Sequence, residues 1–441
     1  MTARELTVAS AERRYVALTA LRWFPLGISI PVTVLLASSR GLSAADIGAV
    51  FAVHSVVALT LELPTGGLAD AIGARPVLVL SALLQIAGLL TLAIAHNLLA
   101  FGAAFALVGA GRALDSGPLE AWYVDAVHLH DDGADVTAGL ARAAVANSAG
   151  LALGAVVGGL APALAAGHSA SSDALVLPFL LAAAIDVVYL VAVVALVVPL
   201  GPTNDTPHVA SAPAAVLTVP SIVRDTVRLA ARDRVLRQLL TLAFLVGTVL
   251  STLELIGPLR FAELTGSRTE GTAVFGVVMA ASFTAAALGA ALATSARRAA
   301  RGSLARTSAA LFAICVLAVS GIALTSALLM TGLAYAVFYL ANAAAWPLRQ
   351  QLMHSRVQAA QRSTSVSALS FALMIGVVAG SLLVPRLAEA TSLSVAFWAA
   401  AAPLLLAGLL SLRLPSASDA TTEHGQTSDD IAPDAAQPAT Q

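Results

Sequence analysis

The chain has 441 residues, 58% hydrophobic and only 11% charged, with a mean hydropathy of +0.87. Soluble globular domains carry roughly 25% charged residues, so these proportions exclude an ordinary soluble fold and point to an integral membrane protein. The formal net charge of −1 says little, because the charges are segregated by side, and nothing suggests a nucleic-acid partner.

A helix needs about 20 mostly apolar residues to cross roughly 30 Å of hydrocarbon. Twelve stretches qualify, near 15–39, 45–68, 76–95, 98–127, 138–166, 174–200, 236–259, 272–296, 304–326, 328–352, 364–385 and 391–413. A closed barrel would show segments of about ten residues alternating in polarity; these runs are longer and apolar on all sides. The fold class is therefore all-α integral membrane with twelve transmembrane helices.

In chain order, "MTARELTVASAERRY" precedes an apolar run too long for a signal-peptide core and without a small-x-small cleavage site, so 1–14 reads as a cytoplasmic tail. A first set of six spans covers 15–200. The polar break 201–235 follows, with Arg224, Arg228 and Arg232 on one helical face, as expected of a basic amphipathic helix on an anionic inner leaflet. A second set of six covers 236–414, and the polar, mildly acidic tail 415–441 is expected to be disordered.

All 24 basic residues are Arg. With the N-terminus inside, only Arg40, Arg260, Arg268 and Arg386 fall in outer segments and Arg22 and Arg112 within spans; the rest lie inside, as the positive-inside rule asks of a cell-membrane protein. An even number of spans puts both termini in the cytoplasm. A weak repeat runs at a constant offset of 224: "AVFAVHS" at 49–55 over "AVFGVVM" at 273–279, and "AW" at 121–122 over "AW" at 345–346. It aligns span two with span eight and span four with span ten, as in transporters built from two related bundles around a midplane site.

Between spans two and three lies "GGLADAIGARPVL", in which Gly66, Asp70, Gly73 and Arg75 fill the pattern of a known signature loop. This stretch, with the helix count, topology and two-half layout, resembles the major facilitator superfamily. Ala71 and Pro76 stand where that pattern has basic residues. The resemblance implies twelve helices in two six-helix bundles, and a loop that latches the inner gate in the outward-facing state. The equivalent loop of the second half, "ATSARRAARGS", keeps its Arg cluster but has Thr294 in place of Asp70, so the latch is expected to work mainly in the first half.

In span five, "GLALGAVVGG" looks like the Gly-rich antiporter signature of proton-coupled exporters in the superfamily. Gly150, Gly154, Gly158 and Gly159 fit it and Ala155 replaces its Pro. Small-xxx-small packing of two helices accounts for the same glycines without implying a direction of transport.

Ionisable groups at bilayer depth face a cavity or a partner. Depth counting places Arg22 of span one level with Glu62 of span two, so the two are expected to pair, with Glu120 of span four as a competing partner. Arg112 resembles the Arg of the superfamily's fourth-helix signature, which is associated with proton coupling. Arg112 and Asp115, three residues apart near the midplane, share one helical face; a gate movement altering their contact would load and release a proton. Proton coupling is thus assigned to Arg112, Asp115 and Glu120. His54, Glu254, Tyr335, Tyr339 and Asn342 are candidates for the substrate cavity, whereas Asp186, in span six, reads as a helix-packing group.

No zinc spacing, Gly-Lys-Ser/Thr phosphate loop or nucleophile elbow occurs, so neither an enzyme, a metal nor a cofactor is expected. Cys315 is the single cysteine and reads as a small core residue. The expectation is a monomeric secondary transporter, a proton-coupled exporter of small hydrophobic or drug-like compounds; the alternative is a proton symporter or uniporter importing a small nutrient.

Overall fold

The computed structural model describes residues 6–129, 134–165, 174–200, 233–356 and 362–414. The basic linker helix expected around Arg224, Arg228 and Arg232 and the tail from 415 lie outside them. Fourteen helices are described: α1 Val8–Ser29, α2 Thr33–Ser39, α3 Ala44–Ile72, α4 Ala74–Ile94, α5 Leu98–Leu114, α6 Pro118–His128, α7 Thr137–Ala165, α8 Leu177–Leu196, α9 Arg234–Thr265, α10 Arg268–Ala299, α11 Leu304–Leu324, α12 Leu328–Arg356, α13 Arg362–Ala390 and α14 Leu393–Ser411. Two pairs, α1 with α2 and α5 with α6, each make one broken span, which leaves twelve spans long and apolar enough to cross a membrane.

Local chemistry sets the boundaries. α1 begins at Val8, inside the stretch read as a tail, because the Thr7 side chain caps the Ser10 N–H. α3 opens with a capping box between Ser43 and Asp46. α1 gives way to α2 around Pro31, which has no N–H to continue the ladder. α9 closes on Gly266, which takes the left-handed conformation that glycine allows.

Six helical spans pack into each half, and the pairing repeats. α1 lies on α7 as α9 lies on α13, α3 on α5 as α10 on α12, and α4 on α8 as α11 on α14. Between halves, α7 meets α10 and α3 meets α13, a relation that maps onto itself when the halves are exchanged. The arginine fasteners repeat too. Arg40, just after α2, donates to the carbonyls of Leu92, Ala93 and Ala95 at the end of α4; Arg260, near the end of α9, donates to Thr325 O at the end of α11 at 2.9 Å. In each half an arginine on the first span neutralises the negative pole of the third.

Among the described residues the tightest contacts between the halves lie at one end of the α7–α10 seam. At the far end, where α2 and α9 finish, Gly159 and Gly276 bring α7 and α10 into backbone contact, and Gly48 rests on Ser381 and Pro385 of α13. Ala45 N also donates to Glu389 Oε1 at 2.8 Å. The opposite end holds the start of α1 and the α10–α11 turn with Arg297, Arg298, Arg301 and Arg306; we call it the basic end. Following the face of α7 from Gly159 and Ala155 toward it at helical spacing leads to Ser148, Val145 and Ala141, and that of α10 from Gly276 leads to Phe283, Ala287 and Thr294. Here Val145 is 68% exposed, and Ala141, Ala287 and Thr294 are exposed as well. A cleft opens between the halves at the basic end.

Candidate functional site

Span four breaks at mid-depth. Asp115 terminates α5, Gly117 adopts φ +104°, and Pro118 starts α6. Positive φ is strained for an L side chain and open to glycine, and Pro is preorganised for a first helical position. Asp115 lies 13 residues before His128, which at 1.5 Å per residue is about 20 Å from the basic end. The break exposes a helix C-terminus and a helix N-terminus inside the membrane. Arg112 occupies the last turn of α5 and Glu120 the first turn of α6, each next to the pole that favours its charge.

The broken span delivers Asp115 to α1. Arg22 Nε forms an ion pair with Asp115 Oδ2, and Arg22 Nη2 donates to the Asp115 carbonyl at 2.8 Å. The side chains of Arg22 and Asp115 are 15% and 5% exposed. This arrangement corrects the pairing expected of Arg22. Arg22 pairs with Asp115 instead of Glu62, because α1 packs on α6, α7 and α8 and so meets the broken span four; depth counting could not show which neighbour it would reach. Glu62 instead accepts from Ser116 Oγ at 3.1 Å. Arg112 shares a helical face with Asp115 as expected, since the Asp115 N–H still bonds Gly111 O at 3.1 Å, but its guanidinium lies over the Trp23 ring, 4.2 Å from the centre, with Arg22 5.1 Å from the same ring. Glu120 is exposed and stands near Tyr15, with no ion pair to Arg22 among the described residues.

Asp115 itself is buried, although Ser116 and Gly117 beside it are exposed. Tyr189 of α8 brings its hydroxyl toward Asp115 without completing a hydrogen bond, and Asp115 Oδ1 is buried without a partner. Asp186, one turn before Tyr189, is 5% exposed and near enough for its charge to act on that of Asp115. Sequence reading dismissed Asp186 as packing and missed Trp23 and Tyr189; the adjacency of Trp23 to Arg22 was the one available signal.

In the second half, every residue from Ser251 to Pro258 is buried except Glu254, which is exposed. The helix carrying it packs against α10, α12, α13 and α14 of its own half and α2 and α3 of the other, so Glu254 borders the space between the halves. Tyr339, another cavity candidate, is 9% exposed and packs in the core against Phe283 and Phe338, edge-on at 6.1 and 5.6 Å. Of the other cavity candidates, Tyr335 is wholly buried, packs against Phe261 and Phe275 and donates to Leu253 O at 3.2 Å; it is a packing residue. His54 is half-buried with its ring edge toward Phe105, and Asn342 is half-buried with Oδ1 unpartnered.

The span-five glycines serve close packing. A Cβ on Gly150 would lie 2.7 Å from Ala20 O, on Gly154 2.3 Å from Phe24 O, and on Gly158 2.0 Å from Ile28 O, all on α1, while Gly159 faces α10. In the signature loop, α3 runs on through Gly66 and Asp70 to Ile72, and the turn is the single residue Gly73 at φ +87° before Arg75 in α4. The expected loop is therefore mostly helix; the side chain of Asp70 lies outside what is described. Trp122, in the "AW" repeat match, is 3% exposed and donates to Val198 O at 2.9 Å.

Comparison with known proteins follows from this architecture. The nucleoside transporter NupG superposes with a TM-score of 0.74 at 14% identity, over 92% of this chain and 98% of that one. The peptide transporter POT in complex with sulfate gives 0.70 at 15%, over 93% and 97%. The human organic anion transporter MFSD10 gives 0.57 at 20%, over 91% and 99%. At these identities the likeness shows the fold. A search among curated proteins returned no match. The sequence profile described as Major Facilitator Superfamily matches residues 16–342, well over half of the sequence, and the chain belongs to that family of membrane transporters.

Proposed function

We propose that this protein is a proton-coupled exporter of small hydrophobic or drug-like compounds working by alternating access, and that Asp115 carries the proton. The observation behind this reading is the Arg22–Asp115 pair, buried where a broken helix meets α1, with one carboxylate oxygen unsatisfied. A buried carboxylate is tolerated while its guanidinium partner stays in place; separation of the partners favours neutralisation by a proton. Movement of α1 against span four thus couples protonation to the opening and closing of the cleft. Arg112, parked on Trp23, and Glu62, on Ser116, bound the same patch and keep the local charge nearly balanced as the proton comes and goes.

The arginine-rich turns support a cytoplasmic basic end, so the cleft opens inward, and both termini lie in the cytoplasm of a cell-membrane protein. The small, weakly polar side chains along the open faces of α7 and α10 suit hydrophobic solutes, and the direction of transport rests on the resemblance of the span-five run to the antiporter signature, its glycines being accounted for by packing on α1. One chain contains the whole pathway, which suits a monomer, and the role is transport without chemical conversion.

The test is proton movement in energised everted vesicles on addition of lipophilic cations and neutral drugs. Compound-dependent proton efflux in wild type, lost in Asp115→Asn, is expected. A response that survives Asp115→Asn would remove Asp115 from the coupling, and proton entry together with solute would replace export by symport.

A further inference from the structure

We propose that the second half holds a binding site for a small monovalent anion such as chloride, between α11 and α12 with Arg349 at its centre. The site is separate from the Arg22–Asp115 pair and stands whether or not Asp115 carries the proton.

Arginines that reach into the protein are answered by carboxylates or by carbonyls of another helix, with one exception. Arg22 pairs with Asp115, Arg260 pairs with Glu263 and donates to Thr325 O, and Arg40 donates to carbonyls at the end of α4. Arg112 lies near enough to Asp115 and Glu62 for their charges to act on it. Arg349 of α12 is the most deeply buried arginine among the described residues, 3% exposed against 8% for Arg260, and none of these answers it. Its Nε donates to Ala345 O, one turn back on its own helix, at 3.3 Å, and its Nη2 is buried without a partner. Among the described residues the one ionisable group near enough to act on its charge is the Cys315 thiol.

A buried guanidinium is costly unless an opposite charge meets it, and arginine does not shed its proton. Two ring faces help: the guanidinium lies 5.4 Å from the centre of the Phe312 ring and 5.7 Å from that of Trp346. That attraction leaves the Nη2 protons without an acceptor. A second orphaned donor lies on the facing helix, for α11 and α12 pack together. Ser308, one turn before Phe312 and so on the same face of α11, is wholly buried with its Oγ unpartnered. Its neighbour Thr307 donates to Ser303 O in the usual way of a helical hydroxyl; Ser308 makes no such bond. Two donors on two packed helices, both lacking an acceptor and one of them charged, call for a ligand that is acceptor only and singly negative. The surrounding Phe312, Cys315 and Trp346 favour a weakly hydrated monoanion over sulfate or phosphate, which lose more on leaving water. Arg349 lies seven residues before the end of α12 at Arg356, about 10 Å from the basic end, and its burial keeps larger solutes away.

The experiment uses the purified full chain in detergent at fixed ionic strength, with sodium gluconate replaced stepwise by sodium chloride. Wild type is expected to gain several degrees in melting temperature along a saturable curve, and radiolabelled chloride to bind with the same midpoint. Arg349→Met is expected to fold, to exceed wild type in stability in gluconate because the unanswered charge is gone, and to lose the chloride response. Ser308→Ala is expected to move the midpoint to about tenfold higher chloride, the loss of one hydrogen bond to a charged group. A purely structural arginine would give no anion dependence to lose.

Equal melting of wild type in chloride and gluconate, or an undiminished chloride response in folded Arg349→Met, overturns the proposal. If Arg349→Met does not fold, Ser308→Ala decides, and an unshifted midpoint there overturns it. So does stabilisation of wild type by phosphatidylglycerol in gluconate with none by chloride, which would give Arg349 to a lipid phosphate.

Discussion

The closed end of the molecule is held by backbone touching backbone, which makes it open to a steric test. A Cβ on Gly276 would lie 2.4 Å from Ala155 O and 2.7 Å from the Gly159 Cα, against 3.4 Å or more for ordinary contact. Relief requires α7 and α10 to part by about 1 Å, since backbone on a packed helix cannot swing aside as a side chain does; overpacking of this kind costs about 1–3 kcal/mol. Because the contact joins two halves that move against each other, the penalty falls on the closed state more than on folding. Gly276→Val should therefore shift the population away from this conformation by about 5- to 150-fold. A reporter is readily made: replacing Cys315, the single cysteine, by Ala and the fully buried Thr272 of α10 by Cys gives one thiol beside the seam. Its labelling by a small methanethiosulfonate should quicken by that factor in Gly276→Val at unchanged fold. Gly154→Val is the control. Its Cβ meets Phe24 O at 2.3 Å within one half, so it should lower the melting temperature and leave labelling of the folded fraction unaltered. Equal labelling in wild type and Gly276→Val, or faster labelling in Gly154→Val, would refute the division into packing and gating glycines.

Removing one partner of the buried pair should be far worse than removing both. Arg22→Ala strands the Asp115 carboxylate and should lose about 3–5 kcal/mol of stability, read as a fall in melting temperature, whereas Arg22→Met with Asp115→Leu recovers folding but not coupling. The exchange Arg22→Asp with Asp115→Arg should restore expression; Arg22→Glu with Glu62→Arg should not. Asp70→Asn should reduce transport rate more than Thr294→Ala in the equivalent loop, and equal losses would remove the first-half latch. At the start of α7, Thr137 donates to the exposed Asp135, through its hydroxyl and its N–H, and holds that carboxyl below its ordinary value of 3.8. The stabilisation is therefore complete at neutral pH and is lost as the pH falls through the lowered value; amide exchange over 137–140 should quicken only in strong acid, and at every pH in Asp135→Ala.

Much of the fold was legible because the membrane constrains it. Span length and apolarity gave the twelve helices, and two short matches at one offset anticipated the repeated pairing of α3 with α5 and α10 with α12. The ionisable residues were legible as residues but not as pairs. Counting along a helix yields depth, while partner choice depends on which helices touch. Asp115 follows Arg112 by three residues in unbroken helical register, yet the carboxylate goes to Arg22 and the guanidinium to Trp23, a division made by the side chains of α1 that counting along span four does not reveal. Glu254 was harder still, since its meaning lies in being exposed where its neighbours are buried.

The placement of Arg40 and Arg260 bears on how the whole machine can move. Each is a strong, directional fastener, and each joins the first and third spans of its own half at the end away from the cleft. The α7–α10 seam, in contrast, has two glycines, Gly159 and Gly276, in backbone contact and no such directional fastener among the described residues. An arginine engineered across that seam, reaching a helix-end carbonyl of the opposite half, would act as a locking pin and would arrest the cycle without touching the proton site or the cavity.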